Sequence, residues 1–219
     1  MRRPLLILLA KAPRAGRVKT RLCPPLSPAE AASLHSALVR DAAALLLSLT
    51  VWADVELSTD VATGAWTDFP MRRSIQCEGD LGARMFHALE RGLAAGHEKV
   101  MLVGSDSPGL PAAHLVALLQ SQADVALGPT TDGGYFAIAC RAIASAMFQG
   151  VRWSAEHTLA DTAAAVSARG LTVETGPGWF DVDVETDLQL MLRMSSAPEN
   201  TKAWMEQYRR VQKASRMPA

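Results

Sequence analysis

The sequence lacks an excess of charge of either sign. Its 219 residues include 22 basic and 22 acidic side chains, so the formal net charge is zero. A neutral chain has no overall field that would draw it to nucleic acid or to a membrane surface. The one dense group of cations, in residues 11–21, contains no aromatic residue. This absence also disfavours nucleic-acid binding, which commonly combines cations with stacking side chains.

Cysteine is scarce, and long apolar runs are absent. Cys23, Cys77 and Cys140 are too far apart for a disulfide framework or for metal-ligand spacing. We therefore expect reduced thiols in a cytoplasmic protein. No apolar run is long enough to span a bilayer. The run at residues 5–10 is too short for the core of a signal peptide, and charges follow it at once.

Apolar strand-like runs alternate with helix-like segments along most of the chain. Strands are predicted at residues 5–10, 53–57, 74–77, 99–104, 124–128, 135–140 and 171–174. Helices that fit crossover connections lie between most of them, which predicts an α/β fold with a mainly parallel sheet. We expect one domain over residues 1–194. A polar linker and a C-terminal helix follow in residues 195–219, and this helix packs on the domain or, alternatively, on a dimer partner.

Three predicted helices have recognisable N-terminal signals. Ser27, Pro28 and Glu30 have the spacing of a capping box with proline at the first helical position. Asp80 and Ser154 are predicted to cap the helices that follow them. The free amides of the helix after Ser154 are then available for an acceptor phosphate.

A basic loop follows the first apolar strand. Its cations are Lys11, Arg14, Arg17, Lys19 and Arg21. The carboxyl ends of strands are where open α/β sheets bind ligands. Five cations crowded there would repel one another without an anion to offset them, so the loop predicts binding of nucleotide phosphates.

Aspartates follow three later strands. Asp106 comes after residues 99–104, and Asp181 and Asp183 come after the last predicted strand. Mg²⁺ prefers oxygen ligands and commonly takes only one or two carboxylates, so Asp106 with Asp183 or Asp181 predicts a metal site. The alternative is that these residues cap turns, or cap the helix that begins near Glu185. Asp132, which precedes two glycines, has the same alternative of a plain turn.

Taken together and in this order, the motifs resemble a bacterial family of GT-A-type glycosyltransferase-like proteins. The resemblance rests on residues 11–13, 16–22, 79–84, 104–108, 132–135 and 181–183. That family is related to the phospholactate and phosphoenolpyruvate guanylyltransferases of cofactor F420 synthesis, and more distantly to molybdenum cofactor guanylyltransferase. The resemblance implies a three-layer α/β/α nucleotide-diphospho-sugar transferase fold, Rossmann-like, with a mixed and mainly parallel sheet.

The resemblance also implies roles for individual residues. The catalytic residues would be Lys19, Arg21 and Asp106. The nucleotide would be bound by Ala10, Lys11, Arg14, Gly16, Arg17, Lys19, Arg21, Gly79, Leu81, Gly82 and Arg84. The phosphorylated or sugar acceptor would be bound by Asp132, Gly133, Gly134, Trp153, Ser154 and Thr158. Mg²⁺ or Mn²⁺ would be held by Asp106, Asp181 and Asp183.

Three functions remain open on the sequence. Nucleotidyl transfer from a triphosphate, with GTP favoured through the relatives, to a small phosphorylated acceptor needs little acid–base help and is preferred. Glycosyl transfer from a nucleotide-diphospho-sugar usually needs a base, for which Asp132 and Glu156 are candidates. It is disfavoured because Pro108 stands where many such enzymes carry a second aspartate. The third function is nucleotide binding without catalysis, which the carboxylates Asp106 and Asp183 argue against.

Overall fold

The computed structural model describes residues 2–215, in which a seven-stranded sheet lies between layers of helices. The strands are β1 (Leu5–Ala10), β2 (Asp54–Thr59), β3 (Arg72–Ile75), β4 (Val100–Val103), β5 (Val125–Pro129), β6 (Tyr135–Cys140) and β7 (Val173–Thr175). The helices are α1 (Pro28–Ser48), α2 (Leu81–Ala94), α3 (Ala112–Gln120), α4 (Thr158–Ser167), α5 (Glu185–Leu192) and α6 (Glu199–Ser215). A single 3-10 turn, Thr20–Leu22, precedes α1.

The strands are apolar because both faces of the sheet are covered. In β1, Leu6 and Leu8 point to the core shared with α1 and α3, and Leu5 and Ile7 point to the core shared with α2 and α4. Side chains of a strand alternate between faces, so a doubly covered strand needs an unbroken apolar run. The three-layer α/β/α fold expected from the sequence is therefore confirmed.

The sheet has the order β3-β2-β1-β4-β6-β5-β7 and is parallel except at β6. Strand β6 is antiparallel to both β4 and β5. Only five residues connect β5 to β6, which suffices for a hairpin, whereas a parallel connection needs a crossover of a dozen or more. The carboxyl ends of β1, β2, β3, β4 and β5 thus lie at one edge of the sheet.

Two of the three predicted helix caps are confirmed. The Ser27 hydroxyl accepts from the amide of Glu30 at 3.3 Å, and Glu30 accepts from the amide of Ser27 at 2.8 Å. Asp80 accepts from the amide of Ala83 at 2.8 Å. The prediction that Ser154 caps a helix is wrong. Helix α4 begins only at Thr158, because Ser154 adopts a left-handed backbone with φ 58° that interrupts the helical path.

The last helix, α6, packs on α1 of its own chain. Trp204 and Met205 are buried against α1 and α5. The Asp41 carboxylate on α1 accepts hydrogen bonds from the backbone amides of Asn200 and Thr201 at 3.0 and 2.7 Å. A buried carboxylate therefore satisfies the first free amides of α6 and favours its dipole. Among residues 2–215, none of the helices is long and apolar enough to cross a membrane.

Candidate active site

A cleft of about 450 Å³ lies at the edge where the parallel strands end. Its lining includes the ends of β1 and β4, the residue after β3, the first turn of α2, and some of the residues in segments 130–135, 153–158 and 181–183. Open α/β sheets bind their ligands at this edge. The structure thus brings the basic loop and the aspartate-containing segments together around a single cleft.

Apolar anchors fix the course of the basic loop. Ala12, Val18 and, one residue beyond the loop, Leu22 are buried. The backbone amide of Ala12 donates to Oδ1 of Asp60 at 2.6 Å. Because these anchors occupy the interior, the charged residues between them are left at the surface or at the cleft.

The five cations of the loop do not share one position. Lys11, Lys19 and Arg21 line the cleft, whereas Arg14 and Arg17 are exposed outside its lining. The expectation that all five need a bound anion is wrong for Lys19. Carboxylates of the chain itself neutralise that side chain.

Lys19 is held by three partners. Its Nζ atom lies 2.7 Å from Oδ1 of Asp106 and 2.9 Å from Oδ1 of Asp183, and its side chain is only 4% exposed. It also donates to the carbonyl oxygen of Val182 at 2.7 Å, so all three ammonium protons have acceptors. Burial alone would lower the pKa of Lys19, but the two carboxylates outweigh it and hold the pKa above the usual value.

Asp106 and Asp183 form the acidic half of this cluster. The amide of Val182 donates to the carbonyl oxygen of Asp106 at 2.9 Å, which ties the two aspartate segments together. Burial acts to raise the pKa of Asp106, but the charge and hydrogen bond of Lys19 hold it below its usual value. Both side chains are more than one-third exposed and remain accessible from the cleft.

Asp181 lines the same cleft but has a different partner. The hydroxyl of Ser107 donates to its Oδ1 atom. Burial, followed by the neighbouring negative charge of Asp106, raises the pKa of Asp181 to about 7. This carboxyl group is therefore only partly ionised at neutral pH, unlike Asp106.

The carboxylates fit a divalent cation as a pair. Within residues 2–215, no group of three or more His, Cys, Asp or Glu side chains is arranged to hold a metal ion. However, one ammonium group already bridges Asp106 and Asp183, and Mg²⁺ commonly binds proteins through one or two carboxylates while keeping several waters. Asp106 and Asp183 are thus the better ligand pair, whereas Asp181 is bonded to Ser107.

Most of the residues predicted for the site border the cleft. Those that line it are Ala10, Lys11, Lys19, Arg21, Leu81, Arg84, Asp106, Asp132, Gly134, Trp153, Ser154, Thr158, Asp181 and Asp183. Those that lie outside its lining are Arg14, Gly16, Arg17, Gly79, Gly82 and Gly133. The proposed roles of both groups stay predictions.

On the acceptor side, the turn between β5 and β6 is internally bonded. Asp132 accepts from the hydroxyl of Thr130 at 2.6 Å and from the amide of Gly134 at 3.1 Å. Gly133 has φ 87°, and a Cβ atom there would lie 2.0 Å from the carbonyl oxygen of Glu156. Gly133 therefore shapes the site indirectly, because only glycine lets segment 153–158 approach the turn this closely.

Thr158 has a structural partner as well as a place in the cleft. Its hydroxyl lies 2.8 Å from the carbonyl oxygens of both Arg152 and Ala155. These contacts close the turn before α4, so the amides of α4 do not follow directly on Ser154 as the sequence predicted. The predicted phosphate site at a helix capped by Ser154 is therefore wrong in its geometry.

The structure adds polar residues that the sequence prediction did not include. They are Thr20, His35, Gln76, Ser105, Thr130 and Tyr135. Gln76, Ser105 and Thr130 stand at or directly after strand ends, so the rule that located Asp106 would have found them. No local signal marks His35, which lies within α1 and whose Nε2 contacts the carbonyl oxygen of Lys11 at 2.8 Å. Burial lowers its pKa.

Solved structures define the class of this fold. A protein from Desulfovibrio desulfuricans G20, provisionally named nucleotide-diphospho-sugar transferase, has 27% identity and a TM-score of 0.82 over 95% of this chain and 99% of its own. A CMP:2-keto-3-deoxy-manno-octonic acid synthetase complexed with CTP has 13% identity and a TM-score of 0.57 over 86% and 96%. A nucleotidyl transferase from Methanothermobacter has 12% identity and a TM-score of 0.56 over 87% and 96%. The chain has the fold of these transferases, the enzyme class that the sequence predicted.

The sequence also assigns the chain to a family. The model of the family described as uncharacterized protein conserved in bacteria (DUF2064) matches residues 35–155. That range is more than half of the chain, which therefore belongs to this family. No curated protein is significantly similar to the sequence. The finer relation to the guanylyltransferases of F420 and molybdenum cofactor synthesis stays a prediction.

Proposed function

We propose that this protein is a Mg²⁺-dependent nucleotidyltransferase that joins a nucleoside triphosphate to a small phosphorylated acceptor and releases pyrophosphate. The observation that carries the proposal is the single cleft in which Lys11, Lys19 and Arg21 meet Asp106 and Asp183. Cations suit the triphosphate, and the carboxylates suit the divalent cation that accompanies it. GTP is the first candidate because of the sequence resemblance alone.

For this reaction the protein mainly has to position the two substrates and stabilise the negative charge of the phosphates. A phosphate oxygen of the acceptor attacks the α-phosphorus, the bond to the β-phosphate oxygen breaks, and pyrophosphate leaves with the bonding electrons. The acceptor phosphate is already ionised, so no proton has to be removed. Lys11 and Arg21, which are exposed at the cleft, would stabilise the transferring charge. When bound at Asp106 and Asp183, Mg²⁺ would supply further neutralisation of the phosphates.

The predicted bases for a hydroxyl acceptor are poorly arranged. Asp132 is engaged by Thr130 and Gly134. Glu156 is 80% exposed, and its side chain contacts His157 outside the cleft lining. Because glycosyl transfer to a hydroxyl usually needs a positioned base, these contacts favour nucleotidyl transfer.

Glycosyl transfer remains the second candidate. The provisional name of the 27% identical protein from D. desulfuricans favours it. In that reaction Asp181, which lines the cleft, would be the carboxylate that accepts the proton of the acceptor hydroxyl. Transfer from a nucleotide-diphospho-sugar would release a nucleoside diphosphate rather than pyrophosphate, so the products separate the two reactions.

A thermal-shift screen is the first test. GTP, CTP, UTP, ATP and their diphospho-sugars are added with and without Mg²⁺, because a ligand that binds the native state raises the melting temperature. We expect a Mg²⁺-dependent shift with one triphosphate, followed by pyrophosphate release with phospholactate, phosphoenolpyruvate or a sugar phosphate as acceptor. A shift with diphospho-sugars alone would favour glycosyl transfer, and no shift with any nucleotide would contradict both proposals.

Replacing Asp106 tests the site itself. We expect Asp106→Ala to reduce turnover by about 10²-fold or more, the range seen when one preorganised electrostatic group is removed. Asp68→Ala is the matched control, because it removes the carboxylate of an exposed ion pair with Arg40 and leaves the cleft intact. Equal nucleotide affinity and equal turnover in both variants would remove Asp106 from the site. If the unmodified protein itself shows no turnover, and Asp106→Ala leaves its Mg²⁺-independent nucleotide affinity unchanged, the protein is a nucleotide-binding protein without catalysis.

A further inference from the structure

We propose that Lys19 is an internal cation that competes with the divalent metal for Asp106 and Asp183, so that metal binds tightly only after Lys19 has left. This inference rests on the proposed function and deepens it, because it predicts the order in which the site is filled. The one observation behind it is that a single ammonium nitrogen contacts both carboxylates that fit the metal.

The charges make simultaneous occupation unfavourable. Lys19 contributes one positive charge against the two negative charges of Asp106 and Asp183. A divalent cation bound to the same carboxylates would lie within a few ångströms of the ammonium group, where like charges repel each other. This repulsion is removed when Lys19 moves away, because the charges of the two carboxylates then balance that of the divalent cation.

In its present position, Lys19 also cannot bind a phosphate of the nucleotide. Its side chain is almost fully buried and its three protons are used by Asp106, Asp183 and the carbonyl oxygen of Val182. While these bonds persist, it has no proton left for a phosphate oxygen. Lys19 therefore cannot serve the phosphates from this position and has to change partners first.

The backbone at Lys19 has an unfavourable conformation for a residue with a side chain. Its φ of 49° lies in the left-handed region, which residues with a side chain seldom occupy unless surrounding contacts impose it. No side chain caps the short turn that starts at this point. The buried neighbours Val18 and Leu22 anchor the backbone on either side, whereas the ion pairs hold the side chain, so losing the ion pairs frees the ammonium group to change partners.

A triphosphate provides the alternative partner. Its phosphates attract the ammonium group, and the vacated carboxylates then accept the metal that the phosphates carry. When metal binds without a nucleotide, the two ion pairs of Lys19 have to break and no new anionic partner is available to the ammonium group. Metal alone therefore binds weakly. By linkage, each ligand then strengthens binding of the other by the same factor.

Binding of Mn²⁺ without nucleotide, followed by the free Mn²⁺ signal in electron paramagnetic resonance, tests this competition. We expect Lys19→Met to bind Mn²⁺ about tenfold or more tightly than the unmodified protein, because even partly screened ion pairs of this geometry are worth that factor. Lys19→Arg keeps the charge and should bind Mn²⁺ as weakly as the unmodified protein. Lys202→Met is the control for net charge, since it removes an exposed cation on α6, and should change nothing.

Equal or weaker Mn²⁺ binding by a folded Lys19→Met variant would overturn the proposal. If that variant does not fold, a crystal structure of the unmodified protein with Mn²⁺ and a triphosphate decides. Lys19 should then contact phosphate rather than Asp183, and a bridging Lys19 beside bound Mn²⁺ would refute the competition. If triphosphates bind normally but Lys19→Met does not tighten Mn²⁺, only the competition fails. If no nucleotide binds, the proposed function fails while the Mn²⁺ comparison stands.

Discussion

Replacing Asp181 with asparagine should make the protein more stable at neutral and alkaline pH. Burial and the charge of Asp106 raise the pKa of Asp181 to about 7 from the ordinary 3.8. Asparagine has nearly the same shape and keeps a carbonyl oxygen for the hydroxyl of Ser107. The substitution therefore removes the cost of ionising this group and retains its hydrogen bond.

The sign and size follow from linkage between protonation and folding. The folded state binds the proton of Asp181 more tightly than the unfolded state, so the contribution of this group is fully present below about pH 4 and is lost as pH rises through about 7. A displacement from 3.8 to about 7 corresponds to at most ~4 kcal/mol, at ~1.4 kcal/mol for each pKa unit. We expect ~2 kcal/mol in practice, or a Tm increase of ~4–8 °C for a chain of this size.

Thermal unfolding of both proteins from pH 4 to pH 8, with chelator present, measures this effect. The difference in Tm between Asp181→Asn and the unmodified protein should be close to zero at pH 4, should grow up to about pH 7 and should level off towards pH 8. Asp161→Asn is a control of opposite sign, because its ion pair with Arg152 lowers the pKa of Asp161 to about 2, so it should destabilise at pH 7. A difference at Asp181 that is constant with pH would refute the reasoning.

Two further predictions concern stability and shape. Lys99→Met should lower the free energy of unfolding by ~2 kcal/mol or more, because buried Lys99 donates to three carbonyl oxygens at the end of α3. Nucleotide affinity should not change. Urea unfolding measures the stability and nucleotide titration measures the affinity, and a loss of affinity without a loss of stability would contradict the prediction. Gly133→Ala should displace segment 153–158 and weaken acceptor binding, since its Cβ would meet the carbonyl oxygen of Glu156. Gly150→Ala, with φ 80° and no neighbour within 4 Å, should show the backbone penalty only, and equal effects of the two substitutions on stability and acceptor affinity would exclude the clash.

Signals that act over a few residues were readable from the sequence. The partners of the capping box, Ser27 and Glu30, are three positions apart, and the cap of Asp80 reaches Ala83. Strand β6 was predicted with the bounds that the structure has, because the glycines before it and the apolar run within it are both local features. The exception was Ser154, where a left-handed backbone overrode the preference of serine for a cap.

Contacts between distant segments were not readable. The residue type of Lys19 suggested a phosphate ligand, yet its partner Asp183 lies 164 residues away. The insertion of β6 between β4 and β5 likewise follows from how the strands pair and not from their composition. The same holds for Asp41, whose bond to the start of α6 crosses 160 residues.

The sequence by itself determined the alternation of strands and helices, the apolar core and the set of charged residues placed after strand ends. Those properties depend on periodicity and on the chemistry of single side chains. Only the tertiary structure decided which partners meet: Lys19 lies between Asp106 and Asp183, and Asp181 is bonded to Ser107. The physical reason is that ion pairing and burial depend on distances of a few ångströms, which are set when strands far apart in the chain are brought to one edge of the sheet.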